Sequence, residues 1–406
     1  MRDQLLYEKI LYGLKHGLSL NNGEIITTLS GCSCLLATPK VKQHDGPMPP
    51  PRIRARPHNS LATHSVQNIR QVSMNARRAW AWLVSDFLPG ALGKLTLGKL
   101  RYHVPQPKGR ERTPETDYSM KVPFAYQANE KPPIRPIAIV CHLFHEDLAD
   151  WILQILLKSE LSADIFISTD TSDKYQVIER VFSEWIRGKT LVRITPNRGR
   201  DIAPKLIEFS DEYHRYEQIL FIHSKKSPHY DFGQAWRDYL LNCLIGSPEI
   251  VASILQIFDE SPEVGMVIPQ HYAKLRERTS IEWGANFRRA RRLAWKMDLD
   301  LSSEGYLDMP SGSMFWARPK AIQSLLGLGL KYENFPIEPC ALDGTIAHCI
   351  ERLFLFACEQ AGYTWMKISS VEDQRPTTIR IENKFDVQNF VSLHRFNLLD
   401  SHEREA

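Results

Sequence analysis

The chain has no run of eighteen apolar residues, so no segment of it reads as a transmembrane helix. It has no C-x-x-C pair, and its seven cysteines in 406 residues are an odd number: Cys32, Cys34, Cys141, Cys243, Cys340, Cys349 and Cys358. That count and the chain's length argue against a disulfide framework and for a reducing cytosol. Cys141, Cys243 and Cys358 stand in apolar runs and read as small core hydrophobes. Leu29-Ser30-Gly31-Cys32 has the form of a lipoprotein cleavage site, but Asn21–Thr28 before it is no hydrophobic signal core. No internal repeat is present.

Neither sign of charge dominates overall, with a formal net charge of +4, but the distribution is uneven. Lys40–Lys121 holds fifteen Lys/Arg against five Asp/Glu, which leaves the rest of the chain acidic by six. Pro39–Pro57, rich in Pro, Lys and Arg, reads as a disordered linker. In Asn75–Leu100, Arg77, Arg78, Lys94 and Lys99 alternate with Trp80, Trp82, Phe87 and leucines, and Pro89-Gly90 divides the stretch into two helical pieces. Such a stretch suits peripheral contact with an anionic membrane surface. A linker, or a helix packed on the catalytic domain or on an oligomer partner, is the reading favoured over it. Gln106–Pro136 is again rich in Pro and charge and reads as a second linker.

From Ile137 the pattern becomes strands alternating with helices. Ile137–Cys141, Asp164–Ser168, Leu191–Ile194, Ile219–Ile222 and Val264–Ile268 are apolar strands. Between them, apolar residues at offsets of three and four mark helices, for example Leu148, Trp151, Ile152, Ile155 and Leu156. Met314–Ala317 is a later short strand, and Thr345–Ala361 reads as one strong helix. This alternation predicts an α/β fold with a mainly parallel sheet covered on both faces. Residues 1–133 form a basic, partly disordered N-terminal extension, 134–372 the catalytic-type domain and 373–406 a tail.

Ligands of open α/β sheets sit outside the carboxyl ends of the strands. Four loops there carry chemistry. Thr169–Asp173 offers Asp170 to a base or ribose, with Asp173 read as a helix cap. Asn197-Arg198-Gly199-Arg200-Asp201 offers two forked phosphate donors, a permissive glycine and a following helix start. His223-Ser224-Lys225-Lys226-Ser227 follows a buried strand directly and reads as an anion site; either lysine could face it. Asp343 stands before the long helix, as its N-cap or as a general base. His348, Glu351 and Arg352 share one face of that helix, as a solvated edge or a site wall. Upstream, Trp283, Asn286, Gly312 and Trp316 are candidates for holding a sugar acceptor, though tryptophan is more often core.

In this order, the loops resemble the rhamnan synthesis protein F family of polysaccharide-assembly proteins. The carrying residues are His142-Leu143-Phe144, Asn197–Asp201, His223–Ser227, Trp236-Arg237, Trp283–Asn286, Gly312–Arg318 and Asp343-Gly344-Thr345 with His348, Glu351 and Arg352. The resemblance spans roughly residues 134–370. It implies a glycosyltransferase of O-antigen or related polysaccharide synthesis, with a nucleotide-diphosphate sugar as donor, dTDP-L-rhamnose for example. It also implies a glycan or lipid-linked glycan acceptor, other polysaccharide-assembly proteins as partners, and a cytoplasmic site at the inner face of the membrane. The layout is similar to sugar transferases of the GT-A type, a Rossmann-like sheet, with Asp170, Asn197, Gly199, Gly312 and Asp343 in the corresponding places. It departs from them at His223-Ser224-Lys225, where their acidic DXD motif would stand. Mg²⁺ and Mn²⁺ want carboxylate oxygens and lysines repel them, so no divalent metal is expected to be required.

Three other readings compete. One is a non-catalytic accessory of a polysaccharide-assembly complex with a degenerate site. Another is a hydrolase using His142, His145 and Asp201 as metal ligands. Nucleic-acid binding is disfavoured by the acidic body and the lack of a basic, aromatic-studded sheet face.

Overall fold

A computed structural model describes residues 20–21, 24–25, 108–126, 135–227, 230–278, 281–370 and 377–402. The chain divides into two compact units, residues 1–81 and 82–406. Of the first, the described part is an antiparallel hairpin of β1 (Leu20–Asn21) and β2 (Glu24–Ile25). Pro39–Pro57 and the basic stretch Asn75–Leu100 lie outside the described residues.

The second unit is built on a nine-stranded sheet. Its strands are β3 (Ser119–Lys121), β4 (Ile137–His142), β5 (Asp164–Thr169), β6 (Thr190–Ile194), β7 (Gln218–His223), β8 (Val264–Pro269), β9 (Phe315–Ala317), β10 (Thr364–Ser369) and β11 (Thr378–Ile379). They stand in the order β11-β3-β10-β8-β9-β7-β4-β5-β6. Every pairing is parallel except those of β9, which runs antiparallel between β7 and β8. The α/β class and the mainly parallel sheet read from the sequence are therefore what the chain forms.

Alternation along β4 explains the layers. Ile137, Ile139 and Cys141 enter one core with α1 (Ala149–Lys158), α2 (Ser172–Phe182), α4 (Gly233–Ile245) and α5 (Pro248–Glu260). Ala138 and Val140 enter the other, with α3 (Ile202–Ile207), α7 (Phe287–Lys296), α9 (Ile346–Glu351) and α10 (Phe354–Gln360). Successive strand residues point to opposite faces, so a strand apolar at every position is covered twice. β7 behaves in this way: Ile219, Leu220, Phe221 and Ile222 are all buried, each worth about 1.5–3 kcal/mol of burial. The remaining helices are α6 (Ala273–Arg278), α8 (Gln323–Leu326) and α11 (Lys384–His394).

The sheet is wider than the alternation predicts. β3 falls in the segment read as a second linker and outside the 134–372 domain, while β11 and α11 fall in the 373–406 tail. Strands of two or three residues are too short to show a period, and only pairing to β10 extends the sheet through β3 to β11. The helix read over Thr345–Ala361 is two pieces, α9 and α10, with Arg352 closing the first. The cap of α2 is Thr171, whose side chain accepts from the Lys174 amide, rather than Asp173. Cys141, Cys243 and Cys358 are buried free thiols, as their apolar runs imply. Among the described residues no single helix is long and apolar enough to cross a membrane; α4 and α5, bent by 63°, pass that test only as a pair.

Candidate functional site

β9 runs against its neighbours, so its amino end meets the carboxyl ends of β7 and β8. That places Ser311-Gly312-Ser313 beside His223. The His223 Nε2–H donates to the Gly312 carbonyl at 2.9 Å. The Gly312 amide and the Ser313 hydroxyl donate to Glu351 Oε1 at 3.3 and 3.1 Å. This loop is thus held between a strand end and the last turn of α9. Gly312 sits at φ +87°, and a Cβ there would stand 2.7 Å from Leu240 Cδ1, so a side chain would be strained in both backbone and packing.

Behind the loop lies a buried charge network that sequence reading missed. Ser311 Oγ and His271 Nδ1 are 3.0 Å apart, and His271 Nε2–H donates to Asp308 at 2.9 Å. Lys367 Nζ joins Asp308 and Asp117 at 2.6 and 2.9 Å, and Arg112 and Arg276 close on Asp117. Burial pushes Lys367 down to about 7, with Asp308 opposing.

The anion cluster assembles on the same edge. Burial pushes the Asp201 carboxyl up, but His223, Lys205, His142 and Lys225 together hold it well below the usual carboxylate range. Lys205 Nζ lies 3.3 Å from Asp201 and donates to the Ser313 carbonyl at 2.6 Å. The two lysines of the loop part company. Lys226 is exposed and pairs with Asp147 at 2.6 Å. Lys225 turns inward, its Nζ 4.0 Å from the centre of the Trp236 ring. Burial lowers its pKa, with Glu351 and Asp201 opposing. Among the described residues no carboxylate comes within ion-pair distance of Lys225 Nζ, so the ring is its closest charge-stabilising neighbour.

The Asn197–Asp201 loop joins this cluster to α9. Gly199 has φ +70°, and a Cβ there would meet Phe335 Cδ1 at 2.4 Å and Ala203 Cβ at 2.7 Å. Gly199→Ala is accordingly expected to cost about 1–3 kcal/mol, read from the urea midpoint. An unchanged midpoint would mean the loop adapts. Arg200, also at positive φ, donates to His348 Nε2 at 3.0 Å and to the Ala341 carbonyl at 3.2 Å. Because Nε2 accepts, the proton of neutral His348 sits on Nδ1 and is given to Thr345 Oγ1 at 2.7 Å. Burial, then Arg200, lower the His348 pKa.

One turn away stands Asp343. Asn286 Nδ2 donates to its Oδ1 at 2.6 Å and the Ala285 amide to its Oδ2 at 3.3 Å. Arg352 lies 3.9 Å from Oδ1 while donating to the carbonyls of Glu282 and His348. Partial burial raises its pKa, but Asn286, the Gly344 amide, Arg352 and Ala285 outweigh it and hold the carboxyl below its ordinary value. Its side chain is 45% exposed, so it remains reachable. The cap of α9 is Thr345, not Asp343, which removes the structural reading of Asp343 as a helix cap.

Other candidates are placed elsewhere. Asp170 is tied to Lys174 at 2.6 Å. Asn197 is exposed, and its carbonyl takes the Glu338 amide at 3.2 Å. Arg198 donates to the Phe335 carbonyl at 3.1 Å. Trp283 and Trp316 are both fully buried. Trp283 packs on Phe287 and Phe356, and Trp316 Nε1 donates to the Leu244 carbonyl. Neither presents a face to a sugar, because both fill the cores beside the sheet. Asn286 is buried and serves Asp343 and the Trp283 carbonyl rather than a ligand. The trio His142, His145 and Asp201 does not form a metal site. His142 is hydrogen-bonded to Ser168 at 2.9 Å, and among the described residues no three His, Cys, Asp or Glu side chains gather to hold a metal ion.

A sequence profile described as rhamnan synthesis protein F matches residues 108–363, more than half of the chain. The chain belongs to the rhamnan synthesis protein F family. Its name ties this family to polysaccharide synthesis, and the profile begins before β3, in keeping with the wider sheet. Two relatives, both the uncharacterized protein WxcX of Xanthomonas campestris pv. campestris (strains B100 and ATCC 33913), are each 32% identical over 238 residues. The match takes in 58% of this chain but 32% of each relative, so this family member spans about a third of the curated proteins it matches. Among solved structures, a 4-diphosphocytidyl-2C-methyl-D-erythritol synthase from Anaerococcus prevotii aligns with 63% of this chain and 94% of its own, at 9% identity and a TM-score of 0.30. A second synthase of that name aligns with 64% and 97%, at 10% identity and a TM-score of 0.28. Likenesses at these scores are loose and carry no functional argument.

Proposed function

We propose that this family member transfers a sugar from a nucleotide-diphosphate donor to a growing cell-surface glycan, at the cytoplasmic face of the membrane. The observation that carries the reading is the pairing of two unlike groups along one connected edge. Lys225, without a carboxylate partner among the described residues, stands at the end of β7, and an accessible, ionised Asp343 stands before α9. Arg200, His348 and Glu351 link the two.

A glycosidic bond to a diphosphate breaks with negative charge growing on the leaving oxygen. Fixed cations aimed at that charge stabilise the transition state much as a metal ion does. Lys225 is the cation best disposed to do so. Arg200 also pairs through Nε with Glu338 at 3.6 Å, and keeps N–H groups for a phosphate beyond those given to His348, Ala341 and Glu338. Asp343 takes the proton of the acceptor hydroxyl as it attacks in line, which inverts the anomeric centre. L-rhamnose, as its dTDP donor, is the first sugar to try, given the family.

The test is transfer by pure protein across a panel of nucleotide sugars, with and without EDTA. Donor-dependent release of nucleotide diphosphate that EDTA leaves unchanged supports the reading. Activity lost in EDTA and restored by Mg²⁺ or Mn²⁺ would overturn the role given to the cations. No transfer with any donor would favour a non-catalytic accessory protein.

A further inference from the structure

α7 was not assigned a role by the sequence, and its composition is unusual. Of its ten residues, Arg288, Arg289, Arg291, Arg292 and Lys296 are cationic and none is acidic. Arg291 is occupied by Asp300 and Trp295. Arg289, Arg292 and Lys296 line a cleft of about 840 Å³ together with Arg198 from the loop after β6. Among the described residues, Glu333 is the one carboxylate in its lining. Asp201, His223, Lys225 and Glu351 do not line it, so it is separate from the anion cluster described above. It abuts that site through Gly344 and Thr345, next to Asp343.

Two of the arginines are held in place by backbone carbonyls rather than neutralised by acids. Arg289 donates to the Gly344 carbonyl and Arg198 to the Phe335 carbonyl. A guanidinium has five N–H donors, so each retains most of its capacity and its full charge. Lys296 is exposed at the end of α7, and among the described residues it has no ion-pair partner. The walls between these cations are apolar, with Leu293, Phe335 and Ile337 in the lining, and Ile337 is 66% exposed. Cations spread over a concave surface of this size, with one carboxylate against them, attract a polyvalent anion. Forked arginines suit phosphate oxygens in particular.

We infer that this cleft binds a phosphate group of the acceptor, placing the acceptor hydroxyl beside Asp343. Anion binding here stands on the cleft alone, while the word acceptor rests on the transfer reading above. The apolar lining and the exposed Ile337 suit a phosphate attached to a hydrocarbon chain, and a free sugar phosphate offers the same phosphate chemistry.

The test uses the full chain carrying Lys225→Ala, so that the first anion cluster is disabled, and inorganic pyrophosphate as the probe in a calorimetric titration. Pyrophosphate is expected still to bind, more weakly as salt rises. Adding Arg289→Gln and Lys296→Glu is expected to weaken it roughly tenfold or more. Lys296→Glu alone, an exposed change that leaves the carbonyl contact of Arg289 intact, is expected to weaken it in the same direction. Loss of pyrophosphate binding in Lys225→Ala itself, or equal binding with and without the cleft substitutions, would overturn the inference. A second arm identifies the source. Cleft-dependent co-sedimentation with phosphatidylcholine vesicles carrying a long-chain alkyl phosphate assigns a lipid, and cleft-dependent titration by glucose 1-phosphate assigns a soluble sugar phosphate. Binding of neither overturns the acceptor assignment. Failure of the transfer reading would appear separately, as no release of nucleotide diphosphate from any donor by the unsubstituted protein.

Discussion

Asp343→Asn is expected to lower sugar transfer by about 10²–10⁴-fold, the usual contribution of a positioned general base. Donor binding should stay within about twofold, because Asp343 lies toward the acceptor and its contacts are with Asn286, Ala285 and Arg352 rather than with the cations of the donor cluster. The substitution is nearly isosteric. It removes the charge and places an amide opposite the Asn286 donor, so one hydrogen bond is weakened, while the exposed position limits the cost to folding. A transfer rate above a tenth of the unsubstituted value, with the thermal midpoint unchanged, would remove Asp343 from the reaction.

The electrostatics of Asp343 add a pH signature. Its pKa is depressed because donors to the carboxylate outweigh partial burial. A group of that kind is ionised at and above its ordinary range and loses its charge only as pH falls below it. The acid limb of kcat/KM should therefore lie below the usual carboxylate value near 4, with no loss between pH 5 and 7 from this group. A limb near neutrality that survives in Asp343→Asn would point to a different base. His348 is a poor rival, since its Nε2 is already engaged by Arg200 and burial and Arg200 both disfavour its charged form.

The frame of the fold was legible because β4, β5, β7 and β8 each carry an unbroken apolar run of three residues or more, and such runs say both strand and two-sided burial. The loops at their carboxyl ends were legible for the same reason: an abrupt change from apolar to charged marks the sheet edge. What one side chain does there is another matter. Lys225 and Lys226 are adjacent and alike in sequence, and the turn that follows, with Ser227 at φ +44°, sends one to Trp236 and the other to Asp147. Trp283 and Trp316 look the same as surface platforms until packing buries them. Lys205 reads as an ordinary helix lysine, and only its packing among Phe221, Phe315 and Phe354 beside Asp201 makes it a buried cation. His271, Asp308 and Lys367 lie on separate elements, so no spacing rule unites them. The charge excess of α7 was there to read, but nothing local said it would face a cleft.

Lys225→Met is expected to lower the transfer rate by about 10²–10³-fold, the scale of losing one preorganised stabiliser of developing charge, and to weaken binding of the nucleotide diphosphate. Methionine keeps the length of the stem and its contact with Trp236 and removes only the ammonium. Holding that charge in a half-buried place is costly: burial lowers its pKa, and Glu351 and Asp201 only partly offset this. A cation kept there without a carboxylate partner is available to an anion. Lys226→Met supplies the contrast. Its ammonium is exposed and paired with Asp147, a pair worth about 0–1 kcal/mol, and both rate and affinity should remain within about twofold. The neighbouring positions share the same local sequence, so a general loss of positive charge in the loop would affect the two alike. Equal losses, or a larger loss at Lys226, would mean that the loop attracts its ligand by bulk charge and that the inward turn of Lys225 has no part in the chemistry. A loss confined to Lys225→Met, together with restoration of nucleotide-diphosphate affinity in Lys225→Arg, would tie the effect to one charge at one place on the edge of the sheet.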